Sequence, residues 1–179
     1  MRRVNMKRIA LFLVILATSI TQAQSLKETT DFLHDFVDAH GSFGDENWHE
    51  SFHVTFNGCS MTVVDNRKDV SCSRPENKDV CSGDSKVTSY VLTSSTNLKE
   101  LEPTTETDLI FSTYGGYWVE PTTRNDRAVV STSTSTPYGP VVDKDTRISV
   151  GLSTESAAKR VAKALNHAVI LCGGKASAF

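Results

Sequence analysis

The strongest constraint on this fold is the segment Glu155 to Cys172, ESAAKRVAKALNHAVILC. Ala158, Val161, Leu165, Ala168 and Cys172 follow one another at alternating steps of three and four. Ala157, Ala162 and Val169 widen that stripe, and Lys159, Arg160, Lys163 and Asn166 take the opposite side. This is the pattern of an amphipathic helix with one face on a core. Ser153 or Thr154 is placed to cap it, Glu155 sits where the helix dipole favours an anion, and Gly173-Gly174 stops it. Cys172 falls on the apolar stripe in the last turn. In an exported chain it reads as an anchor tying the helix to whatever lies beneath.

Export is the reading of the first residues. Arg2, Arg3, Lys7 and Arg8 precede the apolar run Ile9 to Ile20, and Thr21-Gln22-Ala23 has the small residues that signal peptidase reads. Residues 1–23 are therefore expected to be a signal peptide and 24–179 a single exported domain, starting at Gln24. The apolar run is short for a membrane span and no later run replaces it, so no transmembrane anchor is expected after cleavage. Removing four basic side chains from the 19 basic and 21 acidic of the full chain leaves a formal charge near −6. No basic block remains, and nucleic acid is not an expected partner.

Four cysteines remain: Cys59, Cys72, Cys81 and Cys172. In an oxidising compartment they read as two disulfides, for which three pairings exist. Cys72–Cys81 is favoured as a local staple across SRPENKDV, which leaves Cys59–Cys172 to close most of the domain. No pair has the close spacing of a zinc knuckle.

Ser25-Leu26-Lys27-Glu28 matches a capping box, and Leu26, Thr29, Leu33, Phe36 and Val37 share a helical face up to Gly41. Gly41 to Glu46 reads as loop. From Trp48 the period becomes two, with Trp48, Glu50, Phe52, Val54 and Phe56 on one side. Asn57-Gly58 is a hairpin signal, and it predicts Phe56 opposite Cys59, Val54 opposite Met61 and Phe52 opposite Val63. A bulge at Asn57-Gly58 within one longer strand is the minority reading. Arg67 to Ser85 reads as a polar surface loop. Further strands are predicted near residues 86–94, 107–113, 117–122, 127–133 and 146–152, with tight turns at Gly115-Gly116 and Asn125-Asp126. Leu98 to Pro103 is a connector, and Ser131 to Thr136 a strand fading into a loop at Pro137 to Pro140. About seven strands between two helices predict an α+β domain with a curled, mainly antiparallel sheet or sandwich.

Asn57-Gly58-Cys59 after an aromatic strand, Leu98 to Pro103, Ala158 to Ala168 and the closing Leu171-Cys172-Gly173-Gly174-Lys175 together resemble a group of small exported bacterial domains of unknown function. The resemblance implies no known activity. Cys72 and Cys81 look like a local addition to the group's pattern. Strands followed by a closing helix are also similar to the pleckstrin-homology-like architecture, an analogy of fold that carries no ligand with it.

His49-Glu50-Ser51-Phe52-His53 spells HExxH, in which two imidazoles hold zinc and the glutamate activates a water. That chemistry needs a helix. On a strand the two histidines point the same way about 13 Å apart, at about 3.3 Å per residue. Two ligands of one zinc need nitrogens within about 4 Å of each other. The competing reading is two solvent-facing histidines. His167 lies beside the polar edge of the closing helix, near a C-terminus that tolerates positive charge. Asp143 and Asp145 around Lys144 read as solvated loop charges. There is no glycine-flanked serine elbow and no phosphate loop. Tyr114, Tyr117, Trp118 and Tyr138 cluster around glycine turns and form the candidate binding rim, against the alternative that Tyr117 and Trp118 split between the sheet faces. The resulting expectation is a non-catalytic binding module of the periplasm or extracellular space. No cofactor is expected, and its partner would be an envelope protein, peptide or glycan. An exported hydrolase using His49 and His53 is the alternative.

Overall fold

The computed structural model describes residues 25–45, 48–72, 75–77, 80–81, 85–103, 110–113, 115–136 and 139–174. The expected signal peptide lies outside them.

Helix α1 (residues 25–40) buries Leu33 and Val37 and packs Leu26, Phe32 and Phe36 against the same core. The chain then enters strands β1 (Ser42–Gly44), β2 (Trp48–Asn57), β3 (Ser60–Cys72), β4 (Pro75–Asn77), β5 (Val80–Cys81) and β6 (Ser85–Asn97). After a 3-10 turn at Leu98–Glu100 come β7 (Ile110–Thr113), β8 (Gly116–Val119), β9 (Val130–Thr136), β10 (Gly139–Asp145), β11 (Val150–Leu152) and helix α2 (Glu155–Leu171).

Among the described residues the strands form a six-stranded sheet in the order β1-β2-β3-β6-β9-β10, a three-stranded sheet β11-β8-β7 and the small pair β4-β5. All pairings are antiparallel. Neither larger sheet closes on itself, and the fold is α+β as expected. Phe52, Val54, Met61 and Val63 of the large sheet meet Val119, Val150 and Leu152 of the small one in one core. Leu98 and Leu101, on the connector, are wholly buried in it.

Helix α2 lies on β7, β8, β11 and the 3-10 turn. Its buried stripe is Ala157, Ala158, Val161, Ala162, Leu165, Ala168 and Val169, the residues the periodicity selects. The alanines let the helix axis approach the sheet closely. The Thr154 side chain accepts from the Ala157 amide at 3.2 Å and caps the start. The end is stapled: Cys172 is bonded to Cys59, 113 residues away. The backbones of Cys72 and Cys81 lie in β3 and β5, but their expected pairing rests on side chains outside the described residues.

Five local expectations are corrected. The hairpin loop is Gly58-Cys59 rather than Asn57-Gly58, because Gly58 takes the left-handed first position (φ +57°) and Asn57 pairs with Ser60. This slides β3 by two residues, so Phe56 meets Met61, Val54 meets Val63 and Phe52 meets Asp65. An even slide keeps every side chain on its face. The segment read as a surface loop from Arg67 instead extends β3 to Cys72, paired with β6 down to Ser85. The loop read at Gly41 to Glu46 contains β1, and that at Gly139-Pro140 opens β10. Gly115 makes the expected turn (φ +74°), but Gly116 already belongs to β8.

Candidate functional site

The antiparallel register of β2 and β3 sorts their shared inner face by chemistry. From the turn outward the opposed pairs are Phe56/Met61, Val54/Val63, Phe52/Asp65, Glu50/Arg67 and Trp48/Asp69. The face is apolar near the disulfide and charged at the other end. Glu50 and Asp65 are only 2% and 4% exposed.

Arg67 holds this charged end together. Its Nε donates to Asp65 Oδ2 at 2.8 Å and forms an ion pair with Glu50 Oε1 at 2.6 Å. Its Nη1 donates to the hydroxyl of Tyr90, its register partner on β6, at 3.3 Å. The guanidinium carbon sits 5.7 Å from the Tyr90 ring centre and 5.8 Å from that of Trp118. One guanidinium thus serves two carboxylates, and Glu50 Oε2 and Asp65 Oδ1 are buried with no hydrogen-bond partner among the described residues. Buried polar atoms are ordinarily satisfied, so two orphans at one place point to a site.

Desolvation raises the Glu50 pKa to about 7. Arg67 opposes the rise, and Asp65 and Asp69 add to it. Desolvation likewise raises Asp65 against the pull of Arg67. Burial alone would lower Arg67, but Asp65, Tyr90 and Glu50 outweigh it and hold it above its ordinary value.

These groups line a cleft of about 490 Å³. Trp48, Phe52, Val63, Leu92 and Trp118 supply apolar walls, and Ser94 and Thr132 supply hydroxyls. At the mouth Arg147 pairs with Glu120 at 3.3 Å, and Ser149 donates to Glu120 at 2.6 Å. Asp145, also at the mouth, accepts from the amides of Thr146 and Arg147.

The residues singled out from sequence fare unequally. HESFH is extended within β2, so His49 and His53 are exposed on the outer face while Glu50 points inward. His49 contacts the Ser42 hydroxyl at 3.1 Å, and His53 Nδ1 donates to Asp38 of α1 at 2.9 Å. Trp118 is 7% exposed and packs edge-on against Phe43 and Phe52, so it is a wall of the cleft rather than a rim. Tyr117 is half-buried on the other face of β8. Tyr114 and Tyr138 lie outside the described residues. His167 is exposed on α2, beside a groove with Phe32 and Arg160. Asp143 and Asp145 lie exposed on β10 rather than on a loop.

The sequence reading assigns Arg67 to a loop and gives Asp65 no role, whereas both lie on the inner face of β3. One signal was available: Glu50 is an acid at the phase of Trp48, Phe52 and Val54, a position a half-buried strand reserves for apolar side chains. No family model, no curated protein and no solved structure matches this chain.

Proposed function

We propose that this chain is an exported, non-catalytic binding domain that takes a small ligand, or the side chain of a larger partner, in the cleft between its sheets. The observation that carries the reading is that two buried carboxylates, Glu50 and Asp65, each with one oxygen lacking a partner among the described residues, are among the residues that line an aromatic-walled cleft. Ligand sites have this form: mostly apolar walls and a few convergent polar groups. The Cys59–Cys172 bond fits an oxidising compartment, and the basic and apolar N-terminal residues supply the route there. No helix among the described residues is long and apolar enough to cross a membrane.

Both tryptophans of the chain line the cleft, so intrinsic fluorescence reports on it directly. Titrating purified residues 24–179 with amines, amino acids, oligosaccharides and short peptides should give a saturable change in tryptophan emission with at least one class. Binding that leaves emission untouched and survives Asp65→Asn would place the ligand elsewhere and remove this reading.

A hydrolase is the second reading, favoured by the near-neutral pKa of Glu50 beside a second carboxyl, as general acid catalysis requires. Turnover of chromogenic glycosides or esters that disappears in Glu50→Gln would select it.

A further inference from the structure

We infer that the cleft selects an organic cation, an ammonium or guanidinium group, seated against Glu50 and Asp65 with its hydrocarbon part on the aromatic walls. This inference rests on the binding role proposed above and names the ligand class.

The argument is a charge count by depth. Glu50, Asp65, Glu120 and Asp145 line the cleft against Arg67 and Arg147. Arg147 is engaged at the mouth by Glu120. On the floor, among the described residues, Arg67 alone faces two carboxylates. With both carboxyls ionised, the floor carries one uncompensated negative charge in a place from which water is largely excluded, and that is costly. An anionic ligand would deepen the imbalance. A neutral polyol would meet the two free oxygens with hydroxyl donors but leave the charge. A cation supplies both donors and charge, and the aromatic walls accommodate its hydrocarbon part. The volume, about 490 Å³, admits a side-chain-sized amine.

Proton linkage supports the same choice. Facing Glu50 are Asp65, Arg67 and Asp69 of β3, with Tyr90 on β6 behind Arg67 and Glu120, Asp145 and Arg147 at the mouth. Phe43 of β1 and Trp118 of β8 bring no charge. Burial holds the Glu50 carboxyl protonated to about pH 7, and an incoming cation favours its ionised form, so binding should expel a proton.

The test uses residues 24–179 with n-butylammonium and n-butylguanidinium as probes, and n-butanol and butyrate as neutral and anionic controls. Tryptophan fluorescence gives affinity, and calorimetry in buffers of different ionisation enthalpy counts protons. The cations should bind at least about tenfold more tightly than either control at about pH 8, and should lose about tenfold on going to about pH 5.5. Glu50→Gln should abolish both the proton release and the pH dependence. An acetyl-Gly-Lys-Gly amide that binds at least as tightly as butylammonium would assign the cation to a peptide side chain, and weaker binding to a free amine. If butanol or butyrate binds in the cleft while the cations do not, the inference fails and the binding role stands. If no cation and no control perturbs either tryptophan, the inference fails and the binding role loses its main support. Should Glu50→Gln not fold, the four wild-type titrations decide alone.

Discussion

Glu50 carries more of the site than any other residue, and its ionisation is coupled to folding. Its ordinary pKa is near 4.5 and its folded value about 7, so the folded state holds the proton more tightly than the unfolded chain. Stability from this group is therefore full below about pH 4.5 and is lost as the pH rises to about 7, by on the order of 3 kcal/mol. Glu50→Gln removes that dependence. Its melting temperature relative to the wild type should rise steadily between about pH 5 and pH 8, and a pH-independent difference would contradict the assigned burial. Arg67 predicts the opposite sign. Arg67→Met leaves two buried carboxyls unopposed, which costs about 3–5 kcal/mol when they are ionised. The loss should be largest near pH 8 and shrink toward pH 5 as protons replace the guanidinium, as urea denaturation at the two pH values would read. The location of Glu50 on an apolar face was legible in the sequence. Its partners were not, because a charged run beginning at Arg67 looks like solvent-exposed loop until β6 is known to lie alongside it.

At the scale of elements, legibility follows the strength of the period. The alanine and leucine stripe of α2 was readable residue by residue, as was the two-residue alternation of β2. The two-residue slide of β3 was not readable, because both registers put apolar residues on one face and only the choice of glycine position in the turn separates them. Strands β1 and β10 escaped notice because a three-residue edge strand and a charged one carry little alternation. The sheet-to-sheet packing shows why glycine is needed at two places where a turn does not demand it. A β-carbon at Gly116 would enter the ring of Phe43, and one at Gly151 would enter the rings of Phe43 and Phe52. These rings fix Trp118 edge-on and so set the cleft wall. Gly151→Ala should cost about 1–3 kcal/mol by overpacking. It should also shift tryptophan emission in the folded protein, which a purely conformational glycine effect would not do.

The whole molecule has two poles, and the physics that holds each is different. At one, the Gly58-Cys59 turn is tied by sulfur to the end of α2, over the apolar half of the core. At the other, buried charge takes the place of apolar packing. Along β2 the two are separated by the seven steps from Glu50 to Asn57, about 23 Å at 3.3 Å per residue. The disulfide acts chiefly by restricting the unfolded chain, and a closure of this length contributes about 4–5 kcal/mol in that description. Its removal should therefore lower stability without reshaping the distant cleft. A Cys59→Ser, Cys172→Ser double variant should lose about 2–5 kcal/mol in urea unfolding. Below its transition it should keep the wild-type tryptophan emission and the pH-dependent stability difference attached to Glu50. If the cleft loses its emission signature as soon as the bond is gone, the two poles are not independent. The closing helix would then be positioning the small sheet, and through Trp118 the site itself, rather than only fastening the fold.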